Sequence, residues 1–250
     1  MIRASEISIS YGSRLLIEGL DLALESGSMT AIIGSNGSGK SSLMRVLNGI
    51  QDPVKGSVQW DGREVKELSI REKAMISASL YSEFARVEGF SVRDLISLGR
   101  SHYTGFLGRL SAKDKSRVEE AAQATGIQDL LDQNIISLSD GEFRKAMLAK
   151  LLAQDSEILF LDEPTSHLDL PAALEFLTLL KQQGANGKTI VLTTHQLPLA
   201  FKMADMVLLL DGMGRFAFGP PSEIMEHELL CHFLKTDKIR IKDGNLLIQI

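Results

Sequence analysis

The stretch that most constrains the fold runs from Met29 to Leu47, where a short apolar run breaks into glycines and then resumes with helical spacing. Met29-Thr30-Ala31-Ile32-Ile33 reads as a buried strand, and Gly34-Ser35-Asn36-Gly37-Ser38-Gly39-Lys40-Ser41-Ser42 follows it. Leu43, Met44, Val46 and Leu47 then recur at the interval of a helix face. Strand, glycine-rich loop and helix in that order make a phosphate-binding loop. Glycines at 34, 37 and 39 let successive N–H groups turn inward around phosphate oxygens, and the helix N-terminus adds its dipole. Lys40 is placed to reach the β- and γ-phosphates of a nucleotide, and the Ser41 hydroxyl to ligate Mg²⁺.

With 250 residues, 44% of them hydrophobic, the chain has material for a large core. No apolar run approaches the ~20 residues of a bilayer span, and Met-Ile-Arg-Ala-Ser-Glu at the start lacks the regions of a signal peptide, so the expectation is a soluble, cytosolic protein. The net charge of −5 comes from well-mixed acids and bases and advertises no face to nucleic acid. A single cysteine, Cys231, excludes an intrachain disulfide and reads as an idle or packed thiol.

Along the chain, residues 2–9 and then Leu20, Leu22 and Leu24 read as antiparallel strands, with Tyr11-Gly12 in the turn between them. A flat ring at Tyr11 can stack on a purine base. Ser57 to Trp60 is a further strand of that sheet, closing at Asp61-Gly62, and residues 74–81 read as a buried strand. From Ser91 to about Gln154 the spacing is helical, which predicts a helical lobe inserted into an α/β core. Within it, Ser139-Asp140-Gly141-Glu142 opens an amphipathic helix whose N-terminus can hold a phosphate through the Ser139 hydroxyl and the Gly141 backbone.

Ile158 to Leu161 is an apolar strand delivering Asp162 and Glu163 at its end, where open α/β sheets bind ligands. Asp162 can hold Mg²⁺ through water, and Glu163 can polarise an attacking water. Thr165-Ser166-His167-Leu168-Asp169 places a turn beside them, with Pro171 just inside the next helix. Thr189 to Thr194 is another strand and ends in His195, positioned to point at a γ-phosphate. Residues 206–210, 215–218, 239–241 and 246–250 read as strands, the last pair following a helix from Pro221 to Leu234.

Together, Gly34 to Ser41, Leu138 to Glu142, Ile158 to Glu163, Ser166 to Asp169 and His195 resemble the phosphate loop, signature, Walker B strand, D-loop and switch histidine of an ABC ATPase. The resemblance covers nearly the whole chain. It implies a P-loop (RecA-like) ATPase core with an antiparallel β subdomain over residues 1–82 and 156–250, and an inserted helical subdomain over 83–155. It also implies a head-to-tail homodimer in which Ser139, Asp140, Gly141 and Glu142 of one copy close on ATP held by Tyr11 and Gly34 to Ser42 of the other. ATP and Mg²⁺ are the implied cofactors, with Ser41, Asp162 and Ser82 toward the metal. Lys40, Glu163 and His195 are the implied catalytic groups, and Ser166, Leu168 and Asp169 form the D-loop.

One cassette without a membrane span implies separate permease subunits, an extracytoplasmic substrate-binding protein reached through them, and a peripheral place on the cytoplasmic face of the inner (plasma) membrane. Glu88 to Leu95, Leu98-Gly99-Arg100 and Leu110 to Asp114 resemble the ATPases of importers for iron-siderophore, haem or cobalamin, and that family docks its permease around residues 82–100. The chain departs from the family in three ways. No glutamine occurs between Gln59 and Gln123, leaving Ser82 where a metal-reaching glutamine is usual; Asp140 replaces a glycine; Lys145 and Lys150 replace arginines, losing the bidentate fork. The rivals are an exporter ATPase for lipid or lipoprotein and a soluble non-transport ABC protein. A DNA-acting member would need a long coiled-coil insertion that the chain lacks, and a ribosome-binding member two cassettes.

Overall fold

Alternating apolar residues at the N-terminus produce β1 (Ile2–Tyr11), which pairs antiparallel with β2 (Arg14–Leu24). Ile2, Ile7 and Ile9 of the first strand, with Ile17, Leu20 and Leu24 of the second, face the core. The computed structural model describes every residue except 82–85, 106–107, 167, 227–229, 231–238, 243–244 and 249–250. β3 (Met29–Gly34) is buried along its whole length and leads into α1 (Lys40–Leu47). β4 (Lys55–Trp60) turns through Asp61-Gly62, both at positive φ (48° and 80°), into β5 (Arg63–Glu64). The sheet order is β2-β1-β4-β5. Trp60 is fully buried, and its Nε1–H donates to the Leu47 carbonyl at 3.1 Å, pinning the end of α1 to this sheet.

The strand expected over 74–81 is a correction. Residues Ile70–Ile76 form a helix, α2, and only Ser77–Leu80 forms a strand, β6. The Ser69 hydroxyl accepts from the Glu72 N–H while the Glu72 carboxylate accepts from the Ser69 N–H, so this capping box draws the apolar residues at 74–76 into a last helical turn.

The helical stretch resolves into α3 (Val92–Ser97), α4 (Ala112–Ala124) and α5 (Asp140–Ala153), each opened by a serine with an acid three residues on. The third helix packs against the first two. Gly99 allows this closeness, since a Cβ there would lie 2.3 Å from the Lys150 carbonyl. Arg100, 3% exposed, donates to Asp114 Oδ1 through Nε at 3.0 Å and to the Ala153 carbonyl through Nη1 at 2.7 Å. β7 (Ile158–Asp162) pairs parallel with β6, and α6 (Leu170–Ala185) carries Pro171 in its first turn.

The chain continues through β8 (Thr189–Thr194), α7 (Leu197–Met203), β9 (Met206–Leu210) and β10 (Phe216–Gly219). α8 (Pro221–Glu226), β11 (Ile239–Lys242) and β12 (Asn245–Ile248) follow, the last two pairing antiparallel. Residues 227–229 and 231–234 of the helix expected after Pro221 lie outside the described residues. β3 sits between β8 and β9, parallel to both, and β10 pairs antiparallel with β9. Buried on both faces, these central strands are the continuous apolar runs of a parallel sheet.

The contacts divide the chain into two units, Met1–Leu68 with Lys181–Ile250, and Ser69–Leu180. The first holds the antiparallel sheet and β8-β3-β9-β10; the second holds the helices from α2 to α5 with β6 and β7. Among the described residues, no helix is long and apolar enough to cross a membrane.

Candidate functional site

In the first unit the glycine loop leaves the sheet where three strands finish together. Ile33 stands opposite Thr194, and Gly34 opposite Leu210, so the loop and the residue after β8, His195, share the C-terminal edge. His195 is exposed there. Gly34 must lack a side chain, because a Cβ would lie 2.3 Å from Ser38 Oγ and 2.9 Å from the Leu210 carbonyl. Gly39 caps α1 at φ 101°, a left-handed conformation that L side chains rarely adopt. Ser35, Asn36 and Gly37 are exposed on the rim, whereas Ser38, Gly39 and Lys40 are buried and Ser41 and Ser42 half-buried. The Lys40 ammonium donates to the carbonyls of Gly34 at 2.9 Å and Ser35 at 3.2 Å, which holds its charge over the loop.

The loop suits a phosphate group: position 34 admits no side chain, Gly39 opens α1 in a left-handed conformation, and the buried Lys40 ammonium is held against the loop's carbonyls. Two buttresses were missed by sequence reasoning. The turn after β9 packs against the loop, since a Cβ on Gly212 would lie 2.9 Å from Ser38 Cα, and Arg14 Nη2 donates to the Gly212 carbonyl at 2.7 Å. No motif marks either residue, because the two meet only through the tertiary fold. Tyr11, at the end of β1, is 80% exposed, as a stacking ring requires.

In the second unit, β7 ends in Asp162, which is buried, and Glu163, which is half-buried. Glu163 has φ 48°, a backbone state uncommon for a residue with a Cβ and found disproportionately at functional sites. Its carbonyl accepts from the Ser166 N–H at 3.1 Å and the Ser166 hydroxyl at 2.9 Å, closing the turn that holds it. Arg144 Nη2, from α5, donates to the same hydroxyl at 3.3 Å. Burial pushes the Arg144 guanidinium below its usual range, against the opposing field of Asp140. The Leu168 N–H donates to the Thr165 carbonyl at 3.3 Å, and Asp169 Oδ1 accepts from the Ala172 N–H at 2.9 Å.

Ser139 and Asp140 are exposed at the start of α5, with Gly141 and Glu142 half-buried. The Ser139 hydroxyl donates to Glu142 Oε2 at 2.6 Å and accepts from the Glu142 N–H at 3.3 Å, so the capping box occupies it. The Ser139 hydroxyl, and after it the Ser139 N–H donating to the same Oε2 at 2.8 Å, hold the Glu142 carboxyl below its ordinary value. Lys145 pairs with Glu175 at 2.8 Å, and burial pushes the Lys150 ammonium down. Arg86, also missed, donates to the Leu138 carbonyl at 2.6 Å and to Asp140 at 2.5 Å. Ser82, His167 and Cys231 lie outside the described residues.

Residues 17–166 match the family described as ABC transporter. The chain is 36% identical over 237 residues to the achromobactin transport ATP-binding protein of Dickeya dadantii, covering 94% of this chain and 88% of that one. It is 34% identical over 230 residues to the hemin import ATP-binding protein of Thermobifida fusca, covering 92% and 80% respectively. Among solved structures, a metal-chelate type ABC transporter in an inward-facing conformation superposes with a TM-score of 0.84 at 24% identity, over 98% of this chain and 94% of that one.

Proposed function

The chain belongs to the ABC transporter family, and from that premise we propose that it is the ATP-hydrolysing subunit of an importer carrying an iron chelate, a siderophore complex or haem, through a separate permease. The observation that carries the ATPase reading is the preformed loop, with buried Lys40 bonded to the Gly34 and Ser35 carbonyls and no room for a side chain at position 34. The cargo class is supported by relatives named for achromobactin transport and hemin import.

In this reading the N–H groups of the loop from Gly34 to Ser42 and the Lys40 ammonium neutralise the charge that builds on the departing γ-phosphoryl. Tyr11 stacks on the base. Glu163 orients water and takes its proton, and His195 contacts the γ-phosphate. Ser41 and Asp162 offer hard oxygen donors suited to Mg²⁺, which when bound adds positive charge to the phosphates. Ser139 and Gly141 of a second copy complete the pocket, so ATP joins two subunits head to tail and its hydrolysis releases them, with Ser166, Leu168 and Asp169 at the seam.

A groove of about 410 Å³ in the second unit, lined among others by Phe90, Asp94, Leu98, Ser101 and Leu110, takes the cytoplasmic segment of the permease. Through that permease an extracytoplasmic binding protein is served, and the subunit sits peripherally on the cytoplasmic face of the membrane. The test is Glu163→Gln, which keeps ATP binding and removes the base. With ATP the variant elutes from gel filtration as a dimer; a monomer at saturating ATP sinks the mechanism.

A further inference from the structure

Asp140 presents a problem that the fold answers locally. Its side chain, 73% exposed, stands in the first turn of α5, where the helix N-terminus is the group that would meet an incoming triphosphate. A bare carboxylate there repels the ligand that the helix dipole attracts. Beside it lies Arg86, only 27% exposed. One guanidinium nitrogen donates to the Leu138 carbonyl at 2.6 Å and another to Asp140 Oδ1 at 2.5 Å. The guanidinium plane also covers the Phe143 ring at 4.6 Å from its centroid. Three anchors from α5 and the residue before its cap thus fix one arginine against one acid.

We propose that Arg86 is a positioning residue of the ATPase reaction, cancelling the charge of Asp140 so that the start of α5 accepts the γ-phosphate of ATP bound to a second copy. This rests on the head-to-tail reading above. The pair replaces an uncharged signature position by a neutral ion pair, and it makes acceptance of nucleotide depend on where residue 86 sits. An arginine is required for the double anchor, because a lysine presents a point charge and cannot bridge the carbonyl and the carboxylate in one plane. The neighbouring Arg144 donates to the Ser166 hydroxyl in the turn after Glu163, whereas the guanidinium bonded to Asp140 is that of Arg86.

The experiment measures the ATP concentration that half-saturates dimerisation in a Glu163→Gln background, for the parent, Arg86→Ala, Arg86→Lys, Asp140→Gly and the Arg86→Ala/Asp140→Gly double variant. Arg86→Ala raises that concentration roughly ten-fold or more, and added salt narrows the gap by screening the exposed carboxylate. Arg86→Lys recovers part of the loss, Asp140→Gly dimerises at lower ATP than the parent, and the double variant removes the Arg86→Ala defect. If Arg86→Ala matches the parent, or its defect persists in the double variant or at high salt, the proposal falls while the dimer reading stands. If the parent itself stays monomeric with ATP, the dimer reading falls and takes the proposal with it.

Discussion

Lys40 is a cation with only 6% of its surface exposed, and a buried charge must find oxygen. Two backbone carbonyls supply it, leaving the ammonium fixed where an anion gains most from it. Lys40→Ala is therefore expected to lower kcat for ATP hydrolysis by about a hundred-fold or more, measured by phosphate release, with the circular dichroism spectrum unchanged. Gly34→Ala fails differently: its methyl meets the Leu210 carbonyl at 2.9 Å as well as the Ser38 hydroxyl, so nucleotide binding itself is lost. These residues were legible in the sequence because glycine, lysine and serine at those spacings have one chemistry in common. Arg14, Arg86 and Arg144 were not, since the partner of an arginine is chosen by whatever the fold brings alongside and leaves no local spacing.

At the scale of elements, helices in the second unit repeatedly begin with a serine whose hydroxyl and N–H share one carboxylate: Ser69 with Glu72, Ser91 with Asp94, Ser111 with Asp114 and Ser139 with Glu142. The first of these boxes shows why the strand expected over 74–81 begins only at Ser77: a run of apolar residues suits either period, and the cap upstream decided for 74–76. The longer helices and the buried strands were legible because their periodicities run for two turns or more, or because both faces are apolar. Asp114 carries more than a cap, for it also receives the buried Arg100. Its carboxyl is held below the usual range, chiefly by the Ser111 hydroxyl, then by the Ser111 N–H and Arg100, against the opposing effect of burial. The folded state thus binds fewer protons than the unfolded chain, so this stabilisation is fully present above the ordinary carboxyl value of 3.8 and is lost as pH falls through the lower folded value. Asp114→Ala, which strands Arg100, is expected to cost roughly 3–5 kcal/mol by urea denaturation, against about 1 kcal/mol for Ser91→Ala at an exposed cap.

Across the whole molecule, the nucleotide loop depends on segments drawn from both ends of the first unit: β2 beneath Gly39, β8 and β9 beside β3, and the turn at Gly212 against Ser38. ATP binding should accordingly stabilise that unit cooperatively. At a hundred-fold excess over Kd the gain is about 2.7 kcal/mol, read as a rise in melting temperature that Gly34→Ala abolishes. The central place of β3 also sets a timetable for biosynthesis. Its two flanking strands, ending at Thr194 and Leu210, leave the ribosome long after Gly34 does. At roughly 5–20 residues per second, the nascent loop waits on the order of ten seconds or more for the neighbours that shape it. A growing chain therefore has no means of capturing nucleotide until Leu210 has been made, and the energy-converting centre is switched on only then.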